Sequence, residues 1–154
     1  MFHAVTTDDT QITNLIHLYA ELLDGGRLEA CCDLFADARV VLDSEADPPV
    51  VVDRDGLLEV WRSMVAIHGD GTPRTRHLVG TPILEVDGEA GTATCRSTYT
   101  VFQQVDAGPL QPIISGRYND RFERVDGTWR FTERTYAADL VGDLSDHLLY
   151  DLGL

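Results

Sequence analysis

The sequence predicts an α+β fold in which N-terminal helices cover one side of a long-stranded antiparallel sheet, and three observations carry that prediction. Apolar residues recur at spacings of three and four in the first third of the chain. From Arg76 onward the period changes to two. The alternating stretches are then joined by Asp87-Gly88 and Asp126-Gly127, pairs that favour tight hairpins.

Taken in order, Asp8 to Asp24 carries Ile12, Leu15, Ile16, Tyr19 and Leu23 on one helical face, with Asp8 as an expected N-cap and Gln11 as its partner three residues on. Gly25 and Gly26 stop this helix. A second short helix is expected over Arg27 to Phe35, followed by strands at Arg39 to Leu42 and Val50 to Val52. Gly56 to Ile67 reads as a third helix carrying Leu57, Leu58, Val60, Trp61, Met64 and Val65. Four strands follow near Arg76 to Val86, Ala93 to Gln104, Pro112 to Arg124 and Thr128 to Ala137, and these predict an antiparallel meander.

The length of 154 residues suits one domain over 1–154, large enough to bury a core with a pocket in it. Twenty-six acids against twelve bases give a net charge of −14, which repels phosphate backbones and argues against a nucleic-acid partner. Every base is an arginine. With no lysine in the chain, Schiff-base chemistry, pyridoxal phosphate attachment and a P-loop are excluded. No apolar stretch is long enough for a membrane span, and the opening residues resemble neither a signal nor a transit peptide, so the expected compartment is the cytoplasm with no membrane partner. Cys31, Cys32 and Cys95 form no CxxC, and they are expected to be reduced core residues and not metal ligands.

Without GxSxG, HExxH or GxGxxG, the remaining catalytic vocabulary is carboxylate plus histidine. Asp24 sits at a helix C-terminus, where the macrodipole opposes a carboxylate, so it either caps the turn or points into a pocket. His77 lies in a strand after a Gly, Pro and Thr loop and is either structural or a base poised near neutrality. His3, His17, His68 and His147 are less promising by position. Alternation places Ile114, Gly116, Tyr118, Asp120 and Phe122 on one face, with Ile113 and Val101 opposite it. An acid between aromatic neighbours is either salt-bridged to an arginine or tuned upward by burial. Arg134 falls on the face opposite Trp129 and would join it only through a bulge. Trp61 and Met64 are core residues or the wall of an apolar cavity.

The helix Leu18-Tyr19-Ala20 ending in Asp24, the run Leu34-Phe35-Ala36-Asp37-Ala38, the Arg76-His77 strand, and Tyr118 with Asp126-Gly127-x-Trp129-x-Phe131-x-x-Arg134 together resemble the SnoaL-like branch of the nuclear-transport-factor-like superfamily. The resemblance implies a cone-shaped curved sheet wrapped around the helices, with a deep apolar pocket. Within that superfamily the chain looks most like the lyases that work without a cofactor, among them scytalone dehydratase, bile acid dehydratase and hexachlorocyclohexane dehydrochlorinase. By that resemblance Asp24 and His77 form a proton-abstracting dyad, Arg134 meets the leaving group, and Tyr19, Trp61, Met64, Tyr118 and Asp120 bind an apolar small-molecule substrate. Two alternatives stand beside it: a polyketide cyclase or epoxide hydrolase centred on Asp120, and a non-catalytic binding or assembly module like the β subunits of ring-hydroxylating oxygenases. A threonine-rich outer face with Thr92, Thr94, Thr98 and Thr100 suits either solvent or a symmetric pair, and the resemblance implies self-association as a homodimer or homotrimer.

Overall fold

Helix α1 (Asp8–Asp24) buries Ile12, Ile16, Tyr19 and Leu23, the stripe its sequence spacing prescribes. The computed structural model describes residues 6–150, so His3 lies outside the described residues. Thr7, not Asp8, occupies the N-cap, and it makes no side-chain capping bond. Asp8 is drawn away instead: its carboxylate accepts from the Arg124 guanidinium at 2.9 Å and from Trp129 Nε1 at 2.9 Å, pinning the start of the helix to the sheet. At the other end Gly26 has φ +71° and lies against the Gly71 carbonyl, where an added Cβ would stand 2.1 Å from the oxygen. Only glycine fits that turn.

Helix α2 (Leu28–Asp33) is shorter than expected, and α3 (Arg54–Met64) starts earlier, capped by Asp53 accepting from the Gly56 N–H at 2.9 Å. It also ends earlier than Ile67, because Val65 turns to extended backbone and bridges Leu148. Strands β1 (Arg39–Asp43) and β2 (Val50–Val52) pair antiparallel. The expected long strand from Arg76 is two strands, β3 (Thr75–Val79) and β4 (Ile83–Asp87), interrupted at Gly80-Thr81-Pro82. Both pair with β5 (Thr92–Gln103), which continues into β6 (Gln111–Val125) and β7 (Thr128–Val141). The sheet order is β2-β1-β7-β6-β5-β3, and β1 runs parallel to β7, so the sheet is not antiparallel throughout. A helix between β1 and the meander supplies the long connection that a parallel pair needs.

The result is the expected α+β architecture, with a curved, unclosed sheet whose inner face receives the helices. Cys31, Cys32 and Cys95 are buried in this core as free thiols. Each fully buried aliphatic such as Ile12 or Ile16 contributes roughly 1.5–3 kcal/mol, so α1 is held by its stripe more than by its caps.

Three register shifts interrupt the pairing of β5, β6 and β7, and two of them correct the strict alternation. In β5·β6, Val101 faces Ile114 and Phe102 faces Pro112, which leaves Ile113 as the extra residue. Ile113 and Val101 are therefore both buried and not on an outer face. In β6·β7, Phe122 faces Phe131 and Arg121 faces Glu133, so Thr132 is the extra residue. That bulge turns Arg134 onto the inner face with Trp129 and Phe131.

Candidate active site

The C-terminus of α1 delivers Asp24, and β3 delivers Thr75 and His77, two residues apart and so on the same face of the strand. The Asp24 carboxylate takes three hydrogen bonds. Oδ1 accepts from the Thr75 hydroxyl at 2.8 Å and lies 2.6 Å from His77 Nδ1, while Oδ2 accepts from the His77 backbone N–H at 2.8 Å. Both side chains are nearly buried, 10% exposed for Asp24 and 6% for His77. Burial works against the carboxylate's charge, but the His77 ring, the His77 backbone and Thr75 outweigh it and hold the Asp24 carboxyl below its ordinary value. A carboxylate only accepts, so Nδ1 carries a proton, and in the neutral ring Nε2 is the nitrogen with the lone pair.

His77 opens onto a cavity of about 200 Å³ between α1, α3, the sheet and the segment at Leu144–Leu148. Its apolar wall includes Leu23, Trp61, Met64, Val101 and Ile114. The polar wall is formed by Tyr19, Tyr99, Tyr118 and Tyr136 with His77 and His147. The cavity thus gathers Tyr19, Trp61, Met64, Tyr118 and His77 from the residues singled out in the sequence.

Asp120 and Arg134 are not part of its lining. They form a doubly bonded pair, Nε to Oδ1 and Nη2 to Oδ2 at 2.7 Å each, with both side chains fully buried. The Arg134 guanidinium lies 4.3 Å from the ring centre of Tyr19 and 4.1 Å from that of Tyr118, behind the phenols and not in the cavity. Neither Arg134, expected to meet a leaving group, nor Asp120, expected to touch substrate, lines this cavity, and Arg134 Nη1 is buried without a partner. Burial alone would weaken the cation; the Asp120 charge and hydrogen bonds more than restore it and raise the arginine's pKa. Burial also pushes the phenols of Tyr19 and Tyr118 well up, with Arg134 opposing, so both remain protonated hydrogen-bond donors. Tyr136 donates its hydroxyl to that of Tyr19 at 3.0 Å, which leaves the Tyr19 proton for another acceptor.

Sequence reasoning missed Thr75, Tyr99, Tyr136 and His147. Thr75 was findable as the residue two before His77 on the same face, and Tyr136 as the residue two after Arg134 once the bulge is placed. His147 belongs to no periodic pattern and carries no such signal. Among the described residues no three histidine, cysteine, aspartate or glutamate side chains converge as a metal site. No described helix is long and apolar enough to cross a membrane.

The sequence pattern of the SnoaL-like domain matches residues 4–135. The chain belongs to that family. Over 66 residues it is 32% identical to the two β subunits of the terminal oxygenase component of terephthalate 1,2-dioxygenase from a Comamonas species, a stretch that covers 43% of this chain and 42% of each subunit. The chain therefore matches less than half the length of these curated relatives. Among solved structures, a chain described as the β subunit of a candidate aromatic-ring-hydroxylating dioxygenase from Novosphingobium aromaticivorans is 25% identical with a TM-score of 0.65, over 86% of this SnoaL-like domain and 89% of that one. A candidate scytalone dehydratase from the same organism superposes equally well, TM-score 0.65 over 86% and 85% of the two chains, but at 20% identity it shows the fold alone.

Proposed function

We propose that the protein is a cofactor-independent lyase or isomerase, dehydratase-like, acting on a small apolar ring compound. The observation that carries this reading is the Asp24–His77 pair at 2.6 Å on the wall of a largely apolar cavity. Asp24 fixes the ring tautomer and stabilises the cation that forms, and His77 Nε2 removes an acidic carbon-bound proton from the substrate. The electron pair of that C–H bond forms the new double bond as a hydroxide on the neighbouring carbon departs. The proton held by His77 then completes the water. Tyr19 and Tyr118, kept protonated by burial, offer donors to the departing oxygen, and Arg134, packed against both rings, supports the charge that develops there.

The size of the cavity supports a small substrate. A void of about 150 Å³ holds one benzene molecule, so about 200 Å³ suits a single ring with a few substituents. His77→Ala should lose about 10²-fold or more in kcat/KM while still unfolding in one cooperative transition above the assay temperature. Turnover undiminished by that change would remove the dyad from the mechanism.

An assembly role is the second reading, favoured by the identity to dioxygenase β subunits. Activity of the purified chain alone separates the two, since an assembly subunit would show none. A carboxylate mechanism at Asp120 has less support, because Arg134 holds both its oxygens behind the cavity wall. We also assign to this chain, in either role, association with copies of itself through the outer face of the sheet.

A further inference from the structure

We propose that His147 is a second substrate-contacting residue of the same cavity, donating a ring N–H to a carbonyl oxygen next to the carbon that His77 deprotonates. This rests on the dehydratase-like reading and adds to it the group that receives the developing charge.

Three observations on His147 converge. The ring lines the same cavity as His77. Neither of its nitrogens bonds a side chain or carbonyl among the described residues, and Nδ1 is buried without any partner. The ring is also not what anchors its segment. The segment that carries it is tied down by other atoms: the Ala66 N–H donates to the His147 carbonyl at 2.8 Å, the Leu149 N–H donates to the Met64 carbonyl at 2.8 Å, and the Asp146 carbonyl meets His68 Nε2 at 3.0 Å and Gln103 Nε2 at 3.2 Å. A polar ring left unpaired in a largely apolar wall, on a backbone secured without it, is a group held ready for a ligand.

The chemistry explains why that group is a neutral imidazole. Burial first, then the nearby His77 and His68, lower His147 to about 4, with Asp24 opposing. Near neutral pH one cavity histidine is thus uncharged, while the other is seated against a carboxylate that stabilises its cation. A neutral imidazole that donates to oxygen and a second imidazole, seated on Asp24, that takes the proton divide the work of oxygen polarisation and proton abstraction. When His77 Nε2 takes the proton, the C–H pair moves into the new carbon–carbon bond and the carbonyl π pair moves onto oxygen. The His147 N–H holds that oxygen by a hydrogen bond without giving up its proton. Reversal of the oxygen pair expels the hydroxide, which leaves with the proton from His77 as water.

The test needs no turnover and so stands apart from the His77 experiment. Acetophenone and α-methylstyrene have nearly the same shape, and only the first carries an oxygen. Binding of each to the wild type, His147→Leu and His147→Gln is measured by titration calorimetry or by quenching of Trp61 fluorescence. His147→Leu should weaken acetophenone about tenfold and leave α-methylstyrene unchanged, and His147→Gln, which keeps an N–H donor, should recover part of the loss. Equal weakening of both ligands would show the ring to be packing alone and overturn the assignment. So would acetophenone binding that is absent in the wild type or indifferent to the substitution.

Discussion

Asp24 shows how a tertiary contact overrules a local preference. A carboxylate at a helix C-terminus is disfavoured by roughly 0.3–1 kcal/mol, whereas hydrogen bonds to a charged group contribute about 1.5–3 kcal/mol each, and Asp24 has three. The site wins by that margin. Asp24→Asn should therefore fold yet lose on the order of 10²- to 10⁴-fold in kcat, because the amide no longer dictates which ring nitrogen carries the proton. A kcat within a few-fold of wild type would contradict the tautomer argument. Titration separates the two acid-sensitive groups of the cavity. His147 falls from 6.5 to about 4 on folding, so between those values the unfolded chain binds a proton that the folded chain refuses. Stability must drop as pH falls through that window, by up to about 3 kcal/mol. Asp24 is lowered, so its contribution is full above the unfolded value of 3.8 and is lost only as pH falls through its lower folded value. Urea midpoints at pH 7 and pH 4.5 check this: His147→Leu should show a smaller acid loss than wild type, and an equal loss would refute it. Asp24 and His77 each stood out in the sequence, as an acid at an unfavourable helix end and a histidine in a strand, while their pairing was implied only by the family resemblance. His147 did not stand out, since nothing about its neighbours marks it.

Elements were legible where hydrophobic period decides them and illegible where one residue breaks the period. The α1 stripe follows the sequence pattern except at Leu15, which is half-buried, and the inner face of β5 keeps strict alternation, with Val101 on it against expectation. Gly80-Thr81-Pro82 splits one expected strand into β3 and β4, and the parallel pairing of β1 with β7 joins segments too far apart for local pattern to reveal. The Thr132 bulge matters most. Without it Arg134 and Tyr136 would leave the inner face, and Asp120 would be an unpaired buried carboxylate. Breaking such a pair by removing one partner costs about 3–5 kcal/mol. Deleting Thr132 should accordingly abolish the cooperative melting transition, while Thr132→Ala, which keeps the residue count, should leave it within a few degrees. A deletion variant that melts normally would mean the bulge is dispensable. The sequence posed this question correctly, naming the bulge as the condition for Arg134 to turn inward. It could not show that the arginine would stop behind the phenols, because the Asp120 partnership and the ring stacking are matters of packing.

At the scale of the whole molecule, the outer face of the sheet carries the remaining prediction. Register aligns Leu78 of β3, Thr100 of β5, Ser115 of β6 and Leu140 of β7 in one row, and residues directly paired across strands share a face. Leu78 is 61% exposed and Leu140 70%, and Ile83, paired with Arg96 four residues before Thr100 on β5, is 56% exposed. Exposed leucines at both ends of a hydroxyl-rich row make a self-complementary patch suited to a symmetric pair. The arginines beside it are less of an obstacle than their number suggests. Arg117 is already bonded to Asp139 at 2.7 Å and 2.8 Å, and Arg121 lies 3.7 Å from Glu133, so these cations bring carboxylate partners with them. What opposes association is the net charge of −14 on each chain. Such repulsion acts over a Debye length, about 30 Å at 0.01 M ionic strength and about 8 Å at 0.15 M, so salt should favour assembly. Sedimentation at micromolar protein should give a multiple of 17.1 kDa that grows more populated between 0.01 and 0.15 M salt. Leu78→Glu combined with Leu140→Glu should return the mass of one chain while leaving the dyad's activity intact. A wild type that sediments as one chain at every salt concentration would rule out the outer face as an interface, and a double variant that still associates would move the interface elsewhere.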